Sequence, residues 1–280
     1  MNVIDISNWQ FGINLADVFA QNPLDGVIVK ATGGVSYVNP SCDGWVQWLI
    51  QNGKPFGFYH FLNDDGKGAN GADEAAYFVR NTRNYFGQGI PFADYEGNAL
   101  KKGTKYLKEF LDGVLELTGI RPIVYCSLSV ISSQDFSEIA AAGYKLWVAQ
   151  YATNNPVYGF QENPWQNGSV APFNGFIMQQ YSGNGRLKGY DNALDLDKFF
   201  GSYALWLELA RGEDSAPPSE DLKPADPVVI SDILHGKYGA GSERRSLLRE
   251  AGYDYDSCQD MVNALYATAL SCRKFVKPYE

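Results

Sequence analysis

The chain has 280 residues with 45% hydrophobic content, enough for one large barrel or for a domain with a small appendage. Its net charge of −9 makes a phosphate-tracking basic surface unlikely for the whole molecule and moves nucleic acid down the list of partners. No run approaches ~18 consecutive apolar residues, and Met1-Asn2-Val3-Ile4-Asp5 has neither a basic nor an apolar leader segment, so neither a membrane-spanning helix nor a secretory signal is expected.

Eight short apolar runs recur in the first 200 residues: Val3-Ile4-Asp5, Val27-Ile28-Val29-Lys30, Phe56-Gly57-Phe58-Tyr59-His60, Pro91-Phe92-Ala93-Asp94-Tyr95-Glu96, Ile123-Val124-Tyr125, Leu146-Trp147-Val148-Ala149-Gln150-Tyr151, Phe176-Ile177-Met178-Gln179-Gln180-Tyr181 and Ala193-Leu194-Asp195. Each reads as a strand. Helical patterns fall at 41–52, 71–86, 102–118 and 132–142, whereas 152–175 and 182–192 are rich in Gly, Asn and Pro. The alternation predicts an α/β fold: a barrel of mostly parallel strands whose helices are missing late in the chain. A doubly wound open sheet is the alternative.

Each run ends in a polar or aromatic residue, and in such a barrel the C-terminal strand ends gather at one mouth. Asp94 and Glu96 are the sharpest local feature. Residues two apart on a strand share a face about 6–7 Å apart, so both carboxylates would enter one groove and push their pKa values apart. One protonated and one ionised acid is the requirement for cleaving a glycosidic bond. Asp5 and Asp195, on neighbouring first and last strands, would join them. An oxygen-ligated divalent cation is a lesser reading, because no loop has an EF-hand pattern. With His60 and His235 the only histidines, a three-His zinc site cannot be assembled. The cysteines at 42, 126, 258 and 272 contain no C-x-x-C pair and read as reduced core thiols.

Residues 212–225 are acidic and rich in Pro and Ser, and read as a linker between a domain at 1–211 and a tail at 226–280. The tail predicts three short helices: one after Asp226-Pro227, a second capped by Ser242, and a third opened by Asp256 with Gln259. Gly239-x-Gly241 is no nucleotide loop, since no strand precedes it.

In order along the chain, Asp5-Ile6-Ser7-Asn8-Trp9-Gln10, Val27-Ile28-Val29-Lys30-Ala31-Thr32, Gly57-Phe58-Tyr59-His60-Phe61, Phe92-Ala93-Asp94-Tyr95-Glu96, Pro122-Ile123-Val124-Tyr125, Leu146-Trp147-Val148-Ala149-Gln150-Tyr151, Gln179-Gln180-Tyr181-Ser182 and Leu194-Asp195-Leu196-Asp197 resemble the glycoside hydrolase family 25 lysozymes, which include many phage endolysins. The resemblance covers residues 1–200 and implies an irregular (β/α) barrel acting as an N-acetylmuramidase on bacterial peptidoglycan, with no cofactor and no metal. It implies Glu96 as general acid, Asp94 as its partner, and Asp5 and Asp195 as an outer acid pair. Tyr59, Tyr125, Trp147, Tyr151 and Tyr181 match groove-lining aromatic positions. Lys30 would neutralise the acids, and His60 reads at least as readily as a structural, hydrogen-bonded imidazole as a catalytic one. The family often has an aromatic residue where this chain has Gln179.

The tail segments Gly236-Lys237-Tyr238-Gly239-Ala240-Gly241-Ser242-Glu243-Arg244-Arg245, Ala251-Gly252-Tyr253-Asp254-Tyr255, Gln259 and Val262-Asn263 are similar to a short cell-wall-binding repeat found at the C-termini of some phage lysozymes, present here in one copy. That resemblance implies wall contacts from Tyr238, Arg244 and Asn263, and leaves association of chains through the tail open. Together the two resemblances imply a phage-type endolysin held in the host bacterial cytoplasm until lysis. A chitin-type hydrolase of N-acetylated sugars and a non-catalytic wall-binding protein are the alternatives.

Overall fold

A computed structural model describes residues 1–66, 68–212, 223–239, 244, 247–248, 251–255, 257–259, 261–262 and 264–265. The chain divides into two units, Met1–Ser215 and Ala216–Glu280. In the first, eight strands close into a ring: β1 (Asn2–Ile6), β2 (Gly26–Gly33), β4 (Phe56–Phe61), β5 (Ile90–Asp94), β6 (Ile123–Ser127), β7 (Leu146–Ala149), β9 (Met178–Leu187) and β10 (Tyr190–Phe199). Two-residue strands β3 (Tyr37–Val38) and β8 (Val157–Tyr158) attach to β2 and β9. Every pairing from β1 through β9 around the ring is parallel, and β10 runs against both of its neighbours.

The eight sequence runs all fall on ring strands, with one correction. Ala193-Leu194-Asp195 is not a short last strand ending in Asp195. It is the middle of a ten-residue strand that forms a long hairpin with β9 through Lys188-Gly189. Asp195 therefore reaches the mouth from a reversed strand. Gly183, Asn184 and Gly185 hid the hairpin in the sequence by their low strand propensity. Gly185 is required there, since a Cβ would lie 2.3 Å from Leu196 Cγ.

Period-two alternation sorts the strands into two cores. Val3, Ile28, Tyr59, Ile90, Phe92, Ile123, Trp147, Met178 and Phe199 point inward and fill the barrel. Ile4, Val27, Val29, Phe58, Ala93, Val124, Val148 and Leu196 point outward beneath the helices. The helices are α1 (Leu15–Gln21), α2 (Cys42–Gln51), α3 (Gly71–Thr82), α4 (Gly103–Thr118), α5 (Leu128–Ser133), α6 (Ser137–Ala141) and α7 (Tyr203–Arg211). The pattern at 132–142 resolves into α5 and α6, because Ser127 caps the first and Gln134-Asp135-Phe136 breaks the run. Helix α7, unassigned from the sequence, inserts fully buried Trp206 into the inner core, where its Nε1 donates 3.2 Å to the carbonyl of Phe56.

In the second unit, Asp226 caps α8 (Pro227–Leu234) by accepting from the amides of Val228 and Val229. Val229, Ile230, Ile233, Tyr238, Leu248, Cys258 and Val262 form its core. The second cap expected, Ser242, lies outside the described residues, as do Asp256 and Cys272. Asp254 accepts from the amide of Ser257 at 2.7 Å.

Candidate active site

Strand β5 carries Ile90, Phe92 and Asp94 inward, and the backbone stays extended past its end, with Glu96 at φ −149° and ψ −175°. The amide of Tyr95 continues the ladder by donating to the carbonyl of Tyr125 at 2.9 Å. Alternation therefore persists through Glu96, so Asp94 and Glu96 emerge on one side while Tyr95 is buried on the other, its hydroxyl on Gln134. Gly97, at φ +57°, then turns the chain away.

Asp5, Asp94, Glu96 and Asp195 all line one groove of about 290 Å³ at the barrel mouth, with Ser7, Trp9, Lys30, Tyr59, Phe61, Tyr125, Trp147, Tyr151 and Gln180. Asp5 and Asp195 are register partners on β1 and β10. Lys30 pairs with Asp64 at 2.9 Å and sits over the ring of Phe61, leaving the groove predominantly acidic. Among the described residues, no His, Cys, Asp and Glu cluster is arranged to hold a metal ion.

Burial dominates the electrostatics. It raises Asp94 well above the usual carboxylate range, and the neighbouring charges of Glu96 and Asp5 add to the shift. Asp94 Oδ1 is buried with no hydrogen-bond partner among the described residues. Burial also raises Glu96, with Lys30 opposing. Asp5 is raised well above its ordinary value by burial and by Asp195, against a hydrogen bond from Gln180. Asp195 is raised to about 6 by burial and the charge of Glu96. Burial and mutual charge thus favour the protonated form throughout the set, as a general acid beside an ionised partner requires.

Two sequence assignments do not reach the groove. Tyr181 is on the outward face of β9, buried in the outer core, where its hydroxyl accepts from the amide of Gln161 at 3.1 Å. Its neighbour Gln180 points inward instead, as alternation from Met178 dictates. Gln180 Nε2 donates 2.6 Å to Asp5 Oδ2, while its Oε1 accepts from the hydroxyls of Tyr125 (2.8 Å) and Tyr151. The two phenols fix the amide so that its nitrogen faces Asp5. His60 also points outward. It stacks on Phe110 and bonds Thr32 and Glu74, which makes it a structural imidazole.

Sequence reasoning did not single out Gln180, Phe61 or Ser7, although strict alternation along β4 from Tyr59 would have placed Phe61. Trp9 is lifted over the rim by a short 3-10 helix at Asn8–Gln10, capped reciprocally by Ser7 and Gln10, and is 91% exposed. In the tail, Tyr238 belongs to the core rather than to the surface. Arg244 is engaged internally, with Nε and one guanidinium nitrogen on the carbonyl of Gly239 and the other on Gln259. Asn263 lies outside the described residues.

A family model for glycosyl hydrolases family 25 matches residues 4–190, and one for the CW_7 repeat matches residues 228–265. The lysozyme of Streptococcus phage Cp-7 is 26% identical over 265 residues, covering 94% of this chain and 69% of that protein. The N,O-diacetylmuramidase of Chalaropsis sp is 31% identical over 144 residues, 46% of this chain and 67% of that one. In fold, the bacterial lysozyme from Streptomyces coelicolor aligns with a TM-score of 0.63 at 24% identity, over 77% of this chain and 98% of its own.

Proposed function

The chain belongs to glycosyl hydrolases family 25, and from that premise we propose that it is an N-acetylmuramidase that cleaves the MurNAc-GlcNAc β-1,4 bond of bacterial peptidoglycan. The observation that carries this reading is the pairing of Asp94 and Glu96 on one side of an acidic, aromatic-lined groove. In it Glu96 protonates the leaving oxygen, Asp94 orients the 2-acetamido group, and Asp5 and Asp195 hold the sugar or its attacking water. Tyr59, Tyr125, Trp147 and Tyr151 shape the sugar subsites.

Residues 1–211 act as the catalytic barrel, 212–225 as a linker and 226–280 as the wall-binding domain, a division supported by the CW_7 match at 228–265. The likeness to phage lysozymes supports an endolysin role, with the protein held in the host cytoplasm before lysis. Mass analysis of muropeptides released from purified walls, beside a chitin-release assay, tests the reading. Fragments with MurNAc at the new reducing end are expected. Release of chitin fragments alone would replace peptidoglycan as substrate, and binding to walls without release would make the protein non-catalytic.

A further inference from the structure

Below the groove lies a fifth carboxyl group. Asp197 faces inward from β10, two residues beyond Asp195 and opposite Val3 in the register with β1. It is fully buried. Its Oδ1 accepts 2.9 Å from Trp147 Nε1, and its Oδ2 has no donor among the described residues.

Asp5 pairs with Asp195 and is therefore the inward-facing diagonal neighbour of Asp197 on the β1–β10 ladder, beside the Asp197 oxygen that is left without a partner. Two carboxyl groups bond to each other only when one carries a proton, because an ionised carboxylate has acceptors alone. Asp5 already faces a donor, Gln180 Nε2, whose orientation is locked by Tyr125 and Tyr151. Asp197 is the deeper of the two and has a single neutral N–H for company. The charges that face it, Asp5 from β1 and Asp195 from its own strand, are both acidic, and the nearby hydroxyl of Tyr151 offers no cation.

We propose that Asp197 keeps its proton at neutral pH and donates it in a hydrogen bond to Asp5, as a positioning residue that holds Asp5 ionised and aimed into the groove. Burial, with Asp5 and Asp195 adding to it, raises Asp197 well above the ordinary carboxylate range, in agreement with that geometry. Asp5 then accepts from two fixed donors, Gln180 and Asp197, and its carboxylate cannot rotate away from the mouth. The consequence for catalysis rests on the hydrolase reading; the protonation state does not.

Two measurements on the full chain test it. With aspartate carboxyl carbons labelled with carbon-13, the Asp197 resonance, assigned through backbone connectivities in the unsubstituted chain, should keep the protonated chemical shift at pH 7. This reading needs no substrate, so it stays decisive if the enzymatic assignment fails or if a variant does not fold. On purified walls, Asp197→Ala should lower kcat roughly tenfold, the effect of losing one well-placed hydrogen bond. Asp197→Asn, whose amide can donate to Asp5, should recover most of that loss. An Asp197 carboxyl ionised at pH 7, or an Asp197→Asn variant that is folded yet as impaired as Asp197→Ala, would overturn the proposal.

Discussion

Asp5 and Asp195 face each other directly across β1 and β10, strands from opposite ends of the barrel sequence that run antiparallel. Side chains at such positions lie about 4.5–5.5 Å apart at Cβ, and like charges there are destabilising. The seam that closes the barrel thus carries an unfavourable pair, and folding stability should record it.

The sign follows from proton binding. Unfolded, Asp195 titrates near 4; folded, it titrates at about 6. Between those values the folded state binds more protons, so this stabilising contribution is complete below about 4 and is lost as pH rises through about 6. Asp5, Asp94, Glu96 and Asp197 are shifted the same way. His60 acts oppositely: burial lowers its pKa, so its contribution falls away as pH drops below the ordinary histidine value near 6.5. Asp195→Asn isolates one carboxylate. It should raise Tm at pH 8 by about 2–4 °C, equivalent to about 1 kcal/mol in a domain of this size, and leave Tm unchanged at pH 3.5. Calorimetry at both pH values checks this, and equal shifts would remove charge as the cause.

The barrel was legible because alternation and strand-end chemistry are local signals. Asp94 and Glu96 needed only the geometry of one strand, and Asp5 only its place at the end of the first run. Tyr181 and Gln180 were harder, since a continuous apolar run does not announce which of its faces turns inward. The β9–β10 hairpin was obscured by glycines whose value lies in making room for a neighbour, as Gly185 does for Leu196. The role of His60 depended on Glu74 and Phe110, contributed by two helices further along the chain.

Replacing the proposed acid gives the most direct catalytic test. General acid catalysis contributes roughly 10²–10⁴-fold, and an amide cannot protonate a leaving oxygen. Glu96→Gln should therefore lower the rate of wall lysis at least about a hundredfold while wall binding and circular dichroism stay unchanged. A folded variant with near-normal lysis would remove Glu96 from the role.

Glu74 supports the barrel from outside. Its Oε2 accepts from His60 Nε2 and from the amide of Asn63, both at 2.9 Å, and its Oε1 from the hydroxyl of Tyr106. Asn63 holds a left-handed conformation at φ 53°, so the bond also stabilises a strained turn. Glu74→Ala strips three buried donors of their acceptor and should cost about 3–5 kcal/mol, read as a lower urea midpoint. A loss below about 1 kcal/mol would mean that the network contributes little.

Both cores of the first unit are built from residues that precede Gly212. A chain ending at Gly212 should consequently fold and retain hydrolysis of soluble wall fragments. Activity on intact cells should fall further, because a wall-binding tail raises local concentration rather than performing chemistry. Comparing turbidity loss with fragment hydrolysis distinguishes the roles, and equal losses on both would make the tail a structural part of the enzyme.

The arrangement of carboxylates also bears on stereochemistry. Asp94 and Glu96 share one side of the groove on β5, while Asp5 and Asp195 stand on β1 and β10. Strands β2 and β4 separate the two pairs in one direction around the ring, and β6, β7 and β9 in the other. Direct displacement needs a carboxylate on the face of the sugar opposite the acid, about 5–5.5 Å from it, and inversion needs about 6.5–9.5 Å to admit water. Asp94, beside the acid, is badly placed for attack from the opposite face. Its buried, raised carboxyl is well placed to hold the N–H of a 2-acetamido group whose oxygen attacks the anomeric carbon. That route forms a cyclic oxazolinium intermediate, which water then opens, and it predicts net retention and a strict need for the 2-acetamido group. Proton NMR of the first anomer released, with a substrate lacking that group as a second arm, decides the matter. Inversion, or efficient cleavage without the acetamido group, would transfer the chemistry to a water held across the mouth by Asp5 and Asp195.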